Sequence, residues 1–129
     1  MPDPAVVLDA SALLALLNAE PGAARVAAVL PRAVVSSVNL SEVVAKLADV
    51  GMPETQIHAA LDGLGLGVIP FDEALAYRAG MLRPASRALG LSLGDRAGLA
   101  LAMELDCPVL TTDQQWQAAT VPVVVDVIR

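Results

Sequence analysis

The sequence predicts an α/β fold, a three-layer α/β/α sandwich built on a mainly parallel sheet of about five strands. Short runs rich in valine and leucine alternate with longer segments rich in alanine and leucine, which is typical of parallel strands joined by helices. These runs lack the polar–apolar alternation of a half-exposed sheet, so helices are expected on both faces. With 129 residues and no linker or repeat, the chain is expected to form a single domain, residues 1–129.

The first predicted strand covers residues 5–8, and it leads into Asp9 and a helix that begins at Ala12. The run is apolar, branched and too short for a helix. Ser11 is in position to cap the helix. A carboxylate beside a buried strand is costly without a partner, so Asp9 is expected at the open carboxyl end of the sheet, where α/β folds bind ligands. The alternative is that Asp9 only caps the helix.

The later elements follow from the same signals. Helices are predicted where helical apolar spacing follows a capping residue or proline, and strands where branched runs precede turn residues. In order, we expect a helix over 21–31, a strand over 33–36, a helix capped by Asn39 or Ser41, a helix over 53–61, a strand over 68–69, a helix capped by Asp72 that continues past Pro84 to 89, a loop over 90–95, a helix over 96–105, and strands over 108–111 and 121–127.

Composition restricts the class of protein. The chain is 56% hydrophobic but only 2% aromatic, so the core must consist of alanine, valine and leucine. A net charge of −6 argues against a protein that coats nucleic acids, although an enzyme can still reach phosphate through bound cations. High apolar content with few charges suggests that a homodimer contact or a partner protein covers part of the surface.

Neither a membrane span nor a signal peptide is expected, because no apolar run is long enough and the N-terminus lacks a basic start. Cys107 is the only cysteine, which argues against an internal disulfide and for a reducing cytoplasm. Cys107 precedes a predicted strand and is expected to be buried. His58 is expected at the surface of a helix.

Four acidic residues stand where strands end or helices begin: Asp9, Glu42, Asp95 and Asp113. In a parallel sheet, strand ends and the following helix starts share one edge. Asp95 fits less directly, because its helix precedes a strand and should start at the opposite edge unless residues 92–94 bring it round. No lysine adjoins these acids in sequence, so their repulsion should raise at least one pKa.

Such a cluster is tolerable if it binds a divalent metal. Oxygen ligands favour Mg²⁺ or Mn²⁺ over zinc, and no Cys/His set competes. One or two ions would promote hydrolysis of a phosphate ester by activating water and stabilising the leaving oxygen. Glycine-rich phosphate loops, nucleophile elbows and Cys/His pairs are not found. Each acid also has a simpler interpretation, as a helix cap or an Asx turn.

Four motifs occur in order: LDASALL at 8–14, LSEV at 40–43, LGDRA at 93–97 and LTTDQQW at 110–116. Together they resemble the PIN-domain ribonucleases, specifically the VapC-type toxins of bacterial type II toxin–antitoxin pairs, over essentially the full chain. The resemblance implies a PIN-like fold, Mg²⁺-dependent endonucleolytic cleavage of RNA, and a cognate antitoxin that covers the acidic pocket. By matching motif, it implies that the catalytic and metal-binding acids are Asp9, Glu42, Asp95 and Asp113.

The same resemblance assigns supporting roles. Thr111, two residues before the last acid, is expected to orient ligands or water, and Ser11 to support Asp9. Arg96 either contacts the RNA backbone or is an ordinary helix charge or ion pair. Three further arginines recur near helical spacing beside Tyr77; they form either a basic rim for RNA or, as we prefer, a solvated face, and they are Arg78, Arg83 and Arg87.

Two other interpretations come from different classes. A phosphoacceptor signalling module of flavodoxin-like fold also needs acids at strand ends and Mg²⁺, but it usually has an early acid pair and a late lysine, and no lysine follows Lys46. A non-catalytic binding protein on the PIN fold would be expected to lose one or more of the four acids. None is lost.

Overall fold

The computed structural model describes residues 5–129, and in this range five parallel strands form one sheet. Their order across the sheet is β3-β2-β1-β4-β5. The central strand β1 pairs through Val6 with Ala33 on one side and through Val7 with Val109 on the other. The strands are β1 (Val6–Leu8), β2 (Ala33–Ser36), β3 (Gly67–Ile69), β4 (Val109–Thr111) and β5 (Val125–Val127).

Helices cover both faces of the sheet, so the predicted three-layer sandwich is confirmed. Within residues 5–129 they are α1 (Ala10–Leu17), α2 (Ala23–Val29), α3 (Ser37–Asp49), α4 (Glu54–Asp62), α5 (Glu73–Met81), α6 (Arg83–Ser86) and α7 (Leu93–Leu105). Three short 3₁₀ segments join them, Leu30–Arg32, Arg87–Leu89 and Gln114–Ala118. The longest helices have 13 residues, and none between residues 5 and 129 could cross a membrane.

Successive residues of β1 belong to different cores, because side chains alternate across a strand. Leu8 packs with α1 to α4, and Val7 packs with α5, α7 and the segment around Trp116. Both residues are fully buried. Burial on both faces explains why the strand sequences are uniformly apolar rather than alternating.

Three helices begin earlier than the sequence predicts, because a different side chain caps each one. Asp9, not Ser11, caps α1 by accepting a hydrogen bond from the N–H of Ala12 at 2.8 Å. Ser36 caps α3, so Asn39 and Ser41 lie inside the helix. Ser92 caps α7, which therefore begins within the predicted loop over 90–95. Each cap ends or directly follows the strand or turn before it, where the backbone is still extended.

The C-terminal strand is shorter than predicted. Only residues Val125–Val127 pair with β4, although apolar sequence begins at Val121. The length of β5 is limited by its neighbour β4, which has only three residues to pair with. The helix predicted to run from Asp72 to residue 89 is also divided, into α5, α6 and a 3₁₀ turn, with Pro84 in the first turn of α6. Asp72 caps α5, as predicted.

The direction of α7 corrects the expectation for Asp95. The start of α7 lies at the carboxyl edge of the sheet, because a Cβ at Gly98 would lie 3.8 Å from Cβ of Asp9, the residue after β1, and the Gly94 carbonyl accepts a hydrogen bond from Asn39 near the start of α3. A crossover helix runs antiparallel to both strands that it joins, so its N-terminus lies at the carboxyl edge. The expectation that Asp95 should start at the opposite edge was therefore wrong.

Candidate active site

A cavity of about 220 Å³ opens at the carboxyl edge of the sheet, and all four predicted acids line it. Asp9 comes from the end of β1, Glu42 from α3, Asp95 from α7 and Asp113 from the turn after β4. Asp9 is 4% exposed, and the other three are half-buried. We call this space the acidic cavity. Its other lining residues are Ala10, Ser11, Leu14, Asn39 and Lys46.

Asp9 is the most enclosed of the four acids. Its Oδ1 accepts hydrogen bonds from the Ala12 N–H and from the Ser11 hydroxyl at 2.7 Å, and its Oδ2 accepts one from the Thr111 hydroxyl at 2.7 Å. Burial raises the pKa of Asp9 from 3.8 to about 6, against the lowering effect of these hydrogen bonds. The negative charge of Asp95 raises it as well, but less. The predicted rise is therefore present, with burial rather than repulsion as its main cause.

Two hydroxyls join the ends of β1 and β4. Ser11 donates to Asp9 and accepts a hydrogen bond from the N–H of Thr112 at 3.0 Å. Thr111 donates to Asp9 and accepts from the N–H of Asp113 at 3.1 Å. Thr111 is fully buried and does not line the acidic cavity, so its hydroxyl contacts Asp9 rather than a molecule in the cavity. The two hydroxyls fix the orientation of the Asp9 carboxylate.

Asp95 and Asp113 have a capping role and keep one free oxygen each. Oδ2 of Asp95 accepts from the Ser92 N–H at 2.9 Å in a capping box, and Oδ1 of Asp113 accepts from the Gln115 N–H at 2.9 Å. No residue between 5 and 129 donates a hydrogen bond to the second oxygen of either carboxylate. At both positions, a carboxylate that caps a helix can still bind a metal through its second oxygen. The role as a cap therefore does not exclude a role as a metal ligand.

Glu42 is held from its own helix and from α7. Its Oε1 accepts a hydrogen bond from Nδ2 of Asn39 at 2.8 Å. Its carboxylate lies against Gly94, where a Cβ atom would overlap it. The sequence does not predict this role for Asn39, which it indicates only as a candidate helix cap. The available signal was its spacing, three residues before Glu42, which places both on one face of a helix.

A positive charge also lies at the acidic cavity. Lys46, the only lysine of the chain, lines the cavity one helical turn beyond Glu42. Lys46 is not directly beside any of the four acids in the sequence, so adjacency in sequence does not predict it. It lies four residues after Glu42, which places both on one face of α3. The cavity therefore combines four carboxylates with one ammonium group, and it is less negative than the sequence predicts.

The predicted arginines lie elsewhere. Nη1 of Arg96 donates to the carbonyl of Ala79 at 3.0 Å, at the C-terminal end of α5, and Arg96 does not line the acidic cavity. Arg78 forms an ion pair with Glu104, with 3.5 Å between Nη2 and Oε2. Exposed positions on α6 and the 3₁₀ turn are occupied by Arg83 and Arg87. Exposure is compatible with a basic rim for RNA as well as with a solvated face, so our preference for the solvated face stays a prediction.

Two further predictions concern single residues. His58 is exposed and lies 3.4 Å from Glu54 on α4, as expected for a surface residue. Cys107 is 7% exposed, and burial raises the pKa of its thiol. Both predictions are confirmed.

The sequence matches the family model of the PIN domain over residues 6–121. The chain belongs to the PIN-domain family. The match spans all four acids of the cavity, from Asp9 to Asp113. No match was found among curated protein sequences.

Solved structures resemble this PIN domain in fold. One is DNA-bound VapBC from Salmonella typhimurium, with 18% identity, a TM-score of 0.74, and coverage of 96% of this chain and 98% of that chain. A second is VapBC2 from Rickettsia felis bound to a promoter DNA fragment, with 16% identity, a TM-score of 0.72, and coverage of 94% and 96%. A third is a toxin–antitoxin complex from Klebsiella pneumoniae, with 20% identity, a TM-score of 0.71, and coverage of 93% and 96%.

Proposed function

We propose that this PIN domain is a metal-dependent endoribonuclease and acts as the toxin of a VapC-type toxin–antitoxin pair. The observation that carries the proposal is the convergence of four carboxylates, from four separate elements, on one cavity at the carboxyl edge of the sheet. The family match supports a nuclease. The resemblance to three solved VapBC or toxin–antitoxin structures supports the toxin role.

The donor set fits a hard divalent cation. The donors are all oxygens, and Asp95 and Asp113 each keep one oxygen free of hydrogen bonds from residues 5–129. In the same range, no three Asp, Glu, His or Cys side chains form a ready-made cation-binding group, so the half-buried carboxylates would have to adjust around an ion. Mg²⁺, which Mn²⁺ could replace, would be held by Asp9, Glu42, Asp95 and Asp113.

A bound Mg²⁺ would neutralise charge on the phosphodiester and activate water for its hydrolysis. The protein's own side chains would orient the site. Ser11 and Thr111 hold the Asp9 carboxylate in place, and Asn39 holds Glu42. Lys46 places a positive charge beside the acids, which favours the approach of an RNA phosphate to an otherwise negative cavity.

We also propose a cognate antitoxin, a homodimer and a cytoplasmic location. The Klebsiella neighbour is a toxin–antitoxin complex, and the other two are VapBC assemblies. Exposed apolar side chains such as Tyr77 and Met81 on α5, 71% and 75% exposed, are consistent with a covered surface. Light scattering of the purified chain should give twice its mass. The product of a neighbouring gene should co-purify with it and inhibit RNA cleavage.

RNA cleavage is the direct test of the proposed function. The purified chain is incubated with cellular RNA in Mg²⁺ or in excess chelator, and the fragment ends are sequenced. Defined internal ends in Mg²⁺, absent in chelator and absent with Asp113→Asn, are expected. Asp62→Asn, an exposed acid outside the acidic cavity, is the matched control and should cleave normally. Equal cleavage in chelator would contradict the metal mechanism.

Two alternatives were a phosphoacceptor module of flavodoxin-like fold and a non-catalytic binding protein on the PIN fold. The strand order β3-β2-β1-β4-β5 is not the 2-1-3-4-5 order of flavodoxin-like signalling domains, so that interpretation is wrong for this fold. A non-catalytic binding protein on the PIN fold is tested by the same RNA experiment. It would bind RNA or antitoxin without producing Mg²⁺-dependent fragment ends.

A further inference from the structure

A buried carboxamide lies between the two helices that carry Glu42 and Asp95. Asn39 on α3 is 1% exposed. Its Nδ2 donates one hydrogen bond to Oε1 of Glu42 at 2.8 Å and another to the carbonyl oxygen of Gly94 on α7 at 2.9 Å. Gly94 directly precedes Asp95 in the sequence. A single side chain thus contacts one acid of the cavity and the backbone next to another.

The facing surface of α7 is shaped for this contact. A Cβ atom at Gly94 would overlap the Glu42 carboxylate, and one at Gly98 would lie 3.2 Å from Oδ1 of Asn39. The two glycines are one helical turn apart and share a face. Their lack of side chains lets α3 approach α7 closely enough for Asn39 to reach the backbone of Gly94. A larger residue at position 94 would displace the Glu42 carboxylate, because the end of a flexible side chain shifts more easily than the backbone of α7.

Packing alone does not explain an asparagine at this position. Its Oδ1 is buried and has no hydrogen-bond partner among residues 5–129, and an unpaired buried oxygen destabilises a fold. A leucine of similar size would avoid that cost. What asparagine provides instead is two N–H donors on one nitrogen, and both are directed at the cavity wall formed by α3 and α7.

We propose that Asn39 is a positioning residue that holds the Glu42 carboxylate against the first turn of α7 and thereby sets the separation of Glu42 from Asp95. The inference rests on the proposed function, in which these two acids share a divalent cation. Residues that orient metal ligands typically change metal affinity or activity about 10–100-fold when they are replaced.

Calorimetric titration of Mn²⁺ into the full chain at neutral pH tests the inference. Asn39→Leu should lower Mn²⁺ affinity about 10–100-fold. The matched control is Ser86→Ala, because Ser86 is also 1% exposed and donates its only close hydrogen bond, at 2.8 Å, to Leu82 away from the cavity. Ser86→Ala should melt at a lower temperature but bind Mn²⁺ like the wild type. If Asn39→Leu loses no more affinity than Ser86→Ala, Asn39 only packs the helices, and the inference is wrong.

A second variant moves Glu42 without altering Asn39, and it tests whether the position of Glu42 against α7 matters for the cation even if Asn39→Leu does not fold. Gly94→Ala favours the helical backbone but displaces the Glu42 carboxylate, so Mn²⁺ affinity should fall while the melting temperature does not. Gly80→Ala on α5 is the control, since a Cβ there meets no atom within 4 Å. Unchanged Mn²⁺ affinity in Gly94→Ala would contradict the inference.

Failure of the proposed function gives a different pattern. In that case the wild type neither binds Mn²⁺ nor cleaves RNA. The contact is then judged by a double-mutant cycle of Asn39→Leu and Glu42→Met, measured by urea unfolding in chelator. Non-additive unfolding free energies would show that Asn39 holds Glu42 although the cavity takes no metal. Additive values would overturn the positioning role as well.

Discussion

The acidic cavity has two sides that hold their carboxylates by different means. On the β1–β4 side, Asp9 and Ser11 line the cavity and the buried Thr111 contacts Asp9, so that two hydroxyls and a helix N–H fix a buried carboxylate. On the α3–α7 side, the Asn39 carboxamide and the contact with Gly94 hold Glu42, and the Ser92 N–H holds Asp95; both acids are half-buried. The first side is rigid, and burial there disfavours the ionised carboxylate. The second has fewer restraints.

The two sides would therefore contribute differently to a cation site. The β1–β4 side supplies a carboxylate that is oriented in advance, and the α3–α7 side supplies carboxylates that can move toward an ion. Asp9 is held in one orientation before any ligand enters, although burial raises its pKa to about 6. Glu42 and Asp95 are more exposed to solvent, and each is held at one oxygen, by Asn39 and by the Ser92 N–H, while the second oxygen can adjust to an ion. A site with one fixed and several adjustable ligands can accommodate a cation without a preformed cluster, consistent with the finding that residues 5–129 contain none.

The largest effect is expected on the rigid side, with Asp9→Asn. We expect this change to lower Mg²⁺-dependent RNA cleavage by more than about 100-fold, because ligands matter more than the groups that orient them. Asp72→Asn is the matched control, since Asp72 caps α5 through its own carboxylate, as Asp9 caps α1. If both variants lose activity equally, helix capping rather than the cavity explains the loss.

The hydroxyl contacts of the rigid side are tested by Thr111→Val. This variant keeps the shape of the side chain but removes the hydrogen bond to Asp9 and the acceptor for the Asp113 N–H. RNA cleavage should fall about 10–100-fold, and the pKa of Asp9 should rise further. Thr112→Val makes the same chemical change at the neighbouring residue, whose hydroxyl contacts neither acid. A similar loss in Thr112→Val would argue against a specific role of Thr111.

The buried carboxylate also predicts a pH dependence of stability. Because the folded-state pKa of Asp9 is about 6 and its ordinary value is 3.8, the folded chain binds the extra proton between these values. The resulting stabilisation is complete below the ordinary value and is lost as the pH rises through about 6. Urea unfolding in chelator should show the wild type losing about 2 kcal/mol relative to Asp9→Asn between about pH 4.5 and 7.5. If the difference in unfolding free energy between the two proteins does not change with pH, the pKa of Asp9 is not raised in the folded chain.

The smallest effect is expected from Lys46, which is exposed at the cavity. Lys46→Gln should raise the KM for RNA by about 3–10-fold, with little change in kcat. The slope of log KM against log salt concentration should fall by about one, because one fewer phosphate is neutralised. Arg83→Gln, an exposed cation that does not line the cavity, should change neither value. If Arg83→Gln weakens RNA binding as much as Lys46→Gln, the arginine face contributes to binding and the solvated interpretation is wrong.

The layers, the succession of strands along the chain and the positions of Asp9, Glu42 and Asp113 follow from sequence, because apolar periodicity and caps are local signals. For Asp95 the pattern indicates the wrong edge, and only the resemblance to the family groups it with the other three acids. The starts of α3 and α7 do not follow from sequence, since several capping residues stand close together and the end of the preceding strand or turn selects among them. The contact between Asn39 and Gly94 joins residues 55 apart, so no local pattern predicts it. The cause of the Asp9 pKa shift also needed the structure, because burial depends on packing.

The central claim is that the four carboxylates act as one cation site, and paramagnetic broadening by Mn²⁺ locates the ion directly. In ¹H–¹⁵N spectra of the labelled chain, small amounts of Mn²⁺ should first broaden the backbone amides of Ala10, Asn39, Asp95 and Asp113. Excess Mg²⁺ should restore them. Amides near exposed acids outside the cavity, such as Asp49 and Asp62, should remain sharp. Broadening centred on those acids, or the same pattern in Asp9→Asn, would contradict the claim.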